Sequence, residues 1–157
     1  MPWQIFLHRT PNSDELMTKR IHILKEKESY DFGLIGISSP ENDYRISWIL
    51  NNALGYRFVH VADLELPHKK LDDLQKFHQF RYLDEQTLLT YRLISNKCEN
   101  GYLLEEMPRI DYLILVNGEL EEGFIGSLAK KMNGLEGITL AFQLEPASLK
   151  SRKRLLL

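Results

Sequence analysis

The sequence has few of the features that secreted or membrane-spanning proteins require. Its single cysteine, Cys98, cannot form a disulfide bond within one chain, which is typical of proteins in a reducing compartment. The longest uninterrupted apolar run, residues 112–116, is far shorter than the roughly 20 residues that cross a bilayer. The amino terminus has neither the basic start nor the small-residue cleavage site of a signal peptide. These absences predict a cytoplasmic protein with no membrane partner.

The sequence also lacks a complete motif for catalysis or cofactor binding. Its five histidines are not spaced as metal ligands on a helix, and residues 33–36 (GLIG) have neither the lysine nor the third glycine of a phosphate-binding loop. His60 precedes Asp63 by three residues, which could orient a catalytic base, but a strand histidine beside a turn is the simpler interpretation. We therefore expect no metal and no cofactor, and the balance of the motifs favours a protein that is not an enzyme.

The composition is that of an ordinary single domain. The chain has 157 residues, which is enough to bury a core. Hydrophobic residues make up 43% and charged residues 27%, as is usual for globular proteins. The formal net charge of −2 gives no overall attraction to nucleic acid or to anionic lipid, so RNA is the weaker candidate partner.

The chain is predicted to consist of one domain with an extension at each end. Residues 1–16 show no clear period, and Met17 begins a stretch typical of a bacterial protein start. We interpret residues 1–16 as a flexible extension that precedes the true start at Met17, with a flexible arm of the protein itself as the alternative. Residues 17–151 form the predicted domain, and residues 152–157 (RKRLLL) form a tail of basic residues followed by leucines.

Two segments have the pattern of amphipathic helices. The first is predicted to begin at Pro40, with Ser39 as its N-cap, and to end before Gly55. The second is predicted over residues 121–133, because glutamates at its start and lysines at its end match the helix dipole.

The remaining periodic segments predict a sheet. The run at 112–116 is bounded by polar residues and is typical of a strand that is buried on both faces, so we place it at the centre. Several strands between two helices favour an α+β fold, with a mainly antiparallel sheet of five to six strands and both helices on one face, in the order β-α-β-β-β-β-α-β. The predicted strands are 32–37, 56–62, 77–83, 86–95, 102–104 with 110–116, and 137–144.

One segment resembles the signature of a known family. In residues 104–112 (LEEMPRIDY), Glu106, Asp111 and Tyr112 match the signature of the IPExxxVDY family of bacterial proteins, and Ile110 is a conservative replacement. Glu105 stands where that signature has proline. The resemblance extends roughly from Ile21 to the C-terminus. It implies kinship but no reaction, because the family has no known activity.

The acidic residues of this segment could serve chemistry or structure. Glu106 and Asp111 flank the predicted central strand and, with Arg45, could do acid–base work in a pocket. The alternative role is structural, in which Glu105, Glu106 and Asp111 accept hydrogen bonds from turn amides or pair with an arginine. The candidate arginines are Arg45, Arg92 and Arg109.

Two aromatic residues mark a candidate contact surface. Tyr44 and Trp48 lie one turn apart on the first predicted helix, beside its aliphatic stripe. They could form the edge of the core or a patch that binds a partner, since aromatic residues are enriched at interfaces.

The basic tail is the second candidate surface. Arg152, Lys153 and Arg154 could contact an acidic protein or RNA. The alternative is a solvated end whose leucines fold back onto the domain.

The hypothesis that we carry forward is a non-catalytic cytoplasmic module that binds another protein. Its contact surface would include Tyr44 and Trp48, with the basic tail alongside. An RNA-associated accessory protein that uses the tail is the second hypothesis. An enzyme with an acidic site around Glu106 and Asp111 is the third.

Overall fold

The computed structural model describes residues 31–157, which form a six-stranded sheet, a two-stranded hairpin and two α-helices. The predictions for residues 1–16 and for Met17 lie outside the described residues. The elements are β1 (Gly33–Ser38), α1 (Asp43–Leu54), β2 (Val59–Pro67), β3 (Leu74–Leu83), β4 (Thr90–Ser95), β5 (Lys97–Cys98), β6 (Gly101–Tyr102), β7 (Tyr112–Asn117), α2 (Phe124–Asn133), β8 (Leu140–Leu144) and two 3-10 turns, Pro146–Ser148 and Arg152–Leu155.

The large sheet has the strand order β2-β3-β4-β7-β1-β8, and every pair of neighbours is antiparallel. Within residues 31–157, strands β5 and β6 pair only with each other. The predicted α+β fold with a mainly antiparallel sheet is therefore confirmed.

Strand β7 is buried on both faces, as the apolar run predicts. Leu113 and Leu115 contribute to one core cluster, whereas Ile114 and Val116 contribute to the other. Their side chains alternate between the two faces of the sheet because successive residues of a strand point in opposite directions. A strand with no polar face can be accommodated only if both sides of the sheet are covered.

The two faces of the sheet are covered by different parts of the chain. Buried residues of both helices, such as Ile46 on α1 and Leu128 on α2, pack with Ile114 on what we call the helix face. The opposite side, which we call the tail face, is covered by segments before β7 and after β8. The residues that cover it are Leu103, Leu104, Ile110, Leu149 and Leu155.

Two glycines of β1 allow these layers to come close to the sheet. A Cβ atom at Gly33 would lie 2.3 Å from Cδ1 of Ile125 on α2, and one at Gly36 would lie 2.8 Å from Cδ1 of Ile110. The first contact is on the helix face and the second is on the tail face. Both distances are far below van der Waals contact, so only glycine fits at these two positions without displacing the covering layer.

Helix α1 begins later than predicted. Its N-cap is Asn42, whose Oδ1 accepts a hydrogen bond from the backbone N–H of Arg45 at 2.9 Å. The hydroxyl of Ser39 instead donates to the carbonyl of Gly137 at 2.5 Å and so joins two loops. The predicted end is confirmed, because Gly55 has a left-handed conformation with φ 69°.

Helix α2 also begins later than the predicted residue 121. Gly123 precedes it with φ 80°, a left-handed conformation that cannot belong to the helix. The glutamates at 121 and 122 therefore lie in the preceding turn, while Lys130 and Lys131 do occupy the last turn.

Several strands differ from their predictions. Strand β3 begins at Leu74 instead of 77, and β8 begins at Leu140 instead of 137. The predicted interrupted strand, 102–104 with 110–116, is divided between β6 and β7, which belong to different sheets. Strand β2 continues to Pro67, beyond the predicted end at 62, through a bulge between Val61 and Leu64. The side chain of Gln79 donates to the carbonyl of Ala62 at 2.8 Å within this bulge. Strand β4 begins at Thr90 instead of 86, because residues 84–89 form a turn in which the Asp84 carbonyl accepts from the N–H of Leu88.

The outer edge of β8 is occupied by a side chain of α2. Asn133 accepts a hydrogen bond from the backbone N–H of Ala141 at 2.7 Å and donates to the carbonyl of the same residue at 2.5 Å. The amide of Asn133 thus satisfies both main-chain groups of Ala141, as a neighbouring strand would.

We expect Gly33→Ala to lower the free energy of unfolding by about 1–3 kcal/mol, because the added methyl group would overlap the buried side chain of Ile125. The matched control is Gly134→Ala, where the new Cβ would meet only the Lys131 carbonyl at 3.5 Å, an ordinary contact. Urea denaturation of both variants measures the difference. Equal stabilities of the two variants would contradict the close approach of α2 to β1.

Candidate interaction surface

The outward side of α1 carries aromatic residues. Ile46, Ile49 and Leu50 face the core, so the side of the helix opposite to them is the solvent side. Tyr44 is 60% exposed and Trp48 is 52% exposed on this side. The structure thus places both predicted aromatic residues on the exposed side of the helix.

Tyr44 is held by neighbouring rings even though it is exposed. Its ring meets the edge of Phe80 with centroids 5.4 Å apart and stacks with His60 at 5.7 Å. The ring therefore has few orientations to lose when another molecule covers it. Among the described residues, no hydrogen bond joins His60 to Asp63, the carboxylate that could have oriented it as a base.

Trp48 is covered on one side by an arginine of the same helix. The guanidinium carbon of Arg45 lies 4.4 Å from the centroid of the Trp48 ring, a cation–π contact. Arg45 makes no ion pair with the acidic residues of 31–157, so its N–H donors remain available to a partner. Trp48 and Arg45 together provide an apolar ring and a fixed positive charge at one place.

A cleft of about 360 Å³ adjoins Trp48, and we call it the helix cleft. It lies between α1 and the segment that joins α2 to β8. Its volume is at the small end of the range for binding pockets, about 300–1,000 Å³, so it fits a few side chains and not a large cofactor. Its walls include Glu41, Arg45, Trp48, Asn52, Leu135 and Glu136.

The basic tail lies on the other side of the sheet. Leu155 belongs to the core of the tail face and is 1% exposed. Arg154 points inward, where it donates to the carbonyls of Tyr102 and Leu103 at 2.8 Å each and to the side chain of Gln75. The expectation that the tail lies alongside Tyr44 and Trp48 is therefore wrong.

The charges of the tail are mostly engaged within the domain. Burial lowers the pKa of the Arg154 guanidinium, and its hydrogen bonds tie it to the β6 segment. Arg152 donates to the carbonyl of Leu149 at 2.9 Å and is partly exposed. Lys153 is the one residue of the three that is exposed. The arrangement fits a carboxyl-terminal segment that folds back onto the domain.

Asp111 joins three parts of the chain. Its Oδ2 accepts from the backbone N–H of Ser39 at 2.8 Å, and its Oδ1 binds Nζ of Lys97 at 2.8 Å. The hydrogen bond to Asp111 raises the pKa of Lys97. The predicted alternative of a turn-capping carboxylate thus describes Asp111, whereas the predicted arginine partners do not, because Lys97 takes their place.

Tyr112 fixes the same loop from the next position. Its hydroxyl donates to the carbonyl of Glu41 at 2.5 Å, just before α1. Burial raises the pKa of Tyr112 to about 12, and the nearby carboxylates of Asp43 and Asp111 add to this effect. The Asp111-Tyr112 pair of the signature-like segment therefore positions the start of α1.

Glu106 binds a different segment of the chain from Asp111. Its Oε2 accepts from the backbone N–H of Ser151 at 2.9 Å and from the hydroxyl of the same residue at 3.2 Å. Among residues 31–157, the buried Oε1 of Glu106 has no hydrogen-bond partner. Glu105 is exposed and lies 3.9 Å from Lys69. Glu106 and Asp111, the residues of the enzyme hypothesis, thus hold different segments of the chain.

The sequence reasoning missed a buried asparagine that organises the signature-like segment. Asn96 is fully buried, and its side chain donates to the carbonyls of Met107 and Ile110 and accepts from the N–H of Leu104. Ile110 itself is buried on the tail face. Asn96 is recognised as an organising residue because it is polar and fully buried. Its burial is known only from the structure, so the sequence gives no signal for it.

The reasoning also missed an aspartate–histidine pair. Nδ1 of His78 lies 2.6 Å from Oδ2 of Asp43, and His78 borders a cleft of about 730 Å³ together with Lys97 and Cys98. Such a pair can orient a general base. The thiol of Cys98 in the same cleft donates its hydrogen bond to Asn100 and not to this pair. In the described part of the chain, no group of three or more histidine, cysteine or acidic side chains could hold a metal ion.

We expect Asp111→Ala to lower the free energy of unfolding by about 1–3 kcal/mol, because it leaves the Ser39 amide and the Lys97 ammonium without their acceptor. Urea denaturation measures the change. Glu105→Ala removes a neighbouring but exposed carboxylate and serves as the control, with little expected effect. An unchanged midpoint for Asp111→Ala would show that this carboxylate does not hold the fold together.

We expect the stability of the protein to fall as the pH rises from about 10 towards 12. The reason is that the folded state raises the pKa of Tyr112, so ionisation of its hydroxyl is easier in the unfolded chain. The stabilisation is complete below the unfolded pKa and is lost as the pH approaches the folded value. Tyr112→Phe should lose about 1 kcal/mol at neutral pH, with the hydrogen bond to Glu41, and should show a shallower decline above pH 10. Denaturation curves across this pH range test both parts, and identical slopes for the two proteins would contradict the assignment.

Comparison of the chain with models of protein families, with curated proteins and with solved structures found no match. Within residues 31–157, no helix is long and apolar enough to cross a membrane.

Proposed function

We propose that this protein is a non-catalytic module that binds another protein through the outer side of α1. The observation that carries the proposal is the exposure of Trp48, at 52%, in the middle of the solvent side of a helix whose other side is fully packed. A large aromatic side chain contributes little to the fold in this position. It would remove apolar area from water only when a partner covers it.

The surroundings of Trp48 support a protein partner over a small ligand. Tyr44 and Trp48 extend along the helix by one turn, and both are restrained by neighbouring side chains before binding. Preorganised Tyr, Trp and Arg residues are the types that dominate the binding energy of protein interfaces. The helix cleft beside Trp48 has room for a few side chains of the partner.

The charges at the rim define the partner further. Arg45 offers donors for a carboxylate, and the carboxylates of Glu41 and Glu136 lie along the same cleft. A complementary segment therefore carries an apolar side chain between an acidic and a basic residue. Such mixed charge favours a polypeptide over RNA, whose phosphates would be repelled by both glutamates.

The proposal includes a cytoplasmic location and kinship with the bacterial IPExxxVDY family. The single cysteine supports the location, and the match at Glu106, Asp111 and Tyr112 supports the kinship. The positions of these residues agree with a structural role for the matching segment, since Asp111 and Tyr112 hold the start of the helix that presents Trp48.

We expect Trp48→Ala to remain folded and to lose its partner by at least about tenfold in affinity, because Trp truncation at the centre of an interface is among the most costly. The measurement is a pull-down from the cells of origin with the full chain as bait, followed by titration of the captured protein. Before the pull-down, each variant is shown to have the same urea midpoint of unfolding as the wild type.

Lys153→Ala is the matched control, because Lys153 is an exposed residue on the tail face, away from α1. Capture that is lost in Trp48→Ala and retained in Lys153→Ala supports the proposal. Capture that survives Trp48→Ala, or loss of cooperative unfolding in that variant, would refute it.

A further inference from the structure

The turn between β3 and β4 contains a leucine in a conformation that leucine rarely adopts. Leu88 has φ 62°. In the described part of the chain, it is the one residue other than glycine with a positive φ. The left-handed region is unfavourable for a branched side chain, and glycine or asparagine is the usual choice in such turns. Leu88 is also 72% exposed, so its side chain gains little from the fold in return for this strain.

The turn itself is fixed by hydrogen bonds of Asp84. Its carbonyl accepts from the N–H of Leu88 at 2.7 Å, its own N–H donates to the carbonyl of Leu89 at 2.9 Å, and its side chain accepts from the N–H of Gln86 at 2.9 Å. Only the first of these contacts involves Leu88, through its backbone N–H, and none involves the leucine side chain. Any small residue would satisfy them, so the apolar side chain at the tip is unexplained by the turn.

A cleft of about 600 Å³ lies beside this turn, and we call it the tyrosine cleft. Tyr56 and Tyr82 stack in it with ring centroids 5.2 Å apart, which makes a firm aromatic wall. Val59 and Leu83 also line the cleft, and they are 60% and 53% exposed. One end of the sheet thus presents both an exposed leucine and a cleft whose walls combine aromatic and aliphatic side chains with charged ones.

The charged residues of the tyrosine cleft are balanced. Two arginines, Arg57 and Arg81, and two acidic residues, Asp84 and Glu85, contribute to its walls. Within residues 31–157 neither arginine forms an ion pair. Because both signs of charge occur on this surface, a two-fold axis that brings an arginine of one copy opposite a carboxylate of the other would form the same ion pair twice.

We propose that a second copy of this chain occupies this end of the sheet. In the resulting two-fold dimer, Leu88 of each copy inserts into the tyrosine cleft of the other, and the arginines of one copy pair with the carboxylates of its partner. The projecting residue and its receptor lie on the same surface, which is the requirement for an isologous interface. The residues involved differ from Tyr44, Arg45 and Trp48, so this proposal does not depend on the proposed function.

The test is the mass of the full chain in solution, followed by sedimentation equilibrium over a wide range of protein concentration. A reversible monomer–dimer equilibrium is expected for the wild type. Leu88→Gly should raise the dissociation constant of the dimer by about tenfold or more, because it removes the inserted side chain. The same change relieves the backbone strain, so its urea midpoint, measured at low protein concentration, should be equal to or higher than that of the wild type.

Two further variants locate the interface. Leu71→Gly removes an exposed leucine from a different turn and should leave the dissociation constant unchanged. Glu85→Lys unbalances the charges of the cleft and should weaken the dimer. A wild-type chain that is monomeric at every concentration overturns the proposal. So does a dimer that is unaffected by Leu88→Gly, or a lower urea midpoint for that variant, which would show that Leu88 serves the fold.

Discussion

The carboxylate of Asp111 is the interaction on which the arrangement of the remaining structure depends. Asp111 lies immediately before the central strand β7, and its two oxygens hold the loop that leads into α1 and the lysine that begins β5. Because Tyr112 binds the same loop through Glu41, the position of α1 is determined by two successive residues of one strand. The helix that exposes Trp48 is therefore aligned by polar contacts at its start and by apolar packing along its length.

The fold class follows from local patterns, whereas the ends of the elements do not. The apolar run at 112–116 predicts a doubly buried strand because its side chains reach both faces whatever the neighbours are. The start of α1 was misplaced because Ser39 and Asn42 are both good N-caps, and only the tertiary bond from Ser39 to Gly137 decides between them. The start of α2 depends on the left-handed conformation of Gly123. Glycine can adopt this conformation but also many others, so its presence in the sequence does not predict it.

The candidate site was predictable in its residue types but not in its geometry. Periodicity identifies Tyr44 and Trp48 as residues beside the apolar stripe, but their exposure depends on how closely neighbouring elements approach α1. The position of Arg154 could not be predicted from the sequence. A basic residue near a chain end is usually solvated, and the carbonyl groups that Arg154 binds lie about fifty residues away in the chain. The pair of Asp43 with His78 joins α1 to β3 and has no local signal.

Both edges of the described sheet carry features that hinder pairing with a further strand. Asn133 occupies the main-chain groups of Ala141 at the outer edge of β8, and a bulge interrupts β2 at the other end of the sheet. Growth of the sheet by addition of a strand from another molecule is thereby disfavoured at both ends. Under the proposed function, recognition would fall to side chains such as Trp48 on the solvent side of α1, which the core does not enclose. Single substitutions there can redirect specificity while the architecture stays intact, so partner choice and foldability can evolve separately.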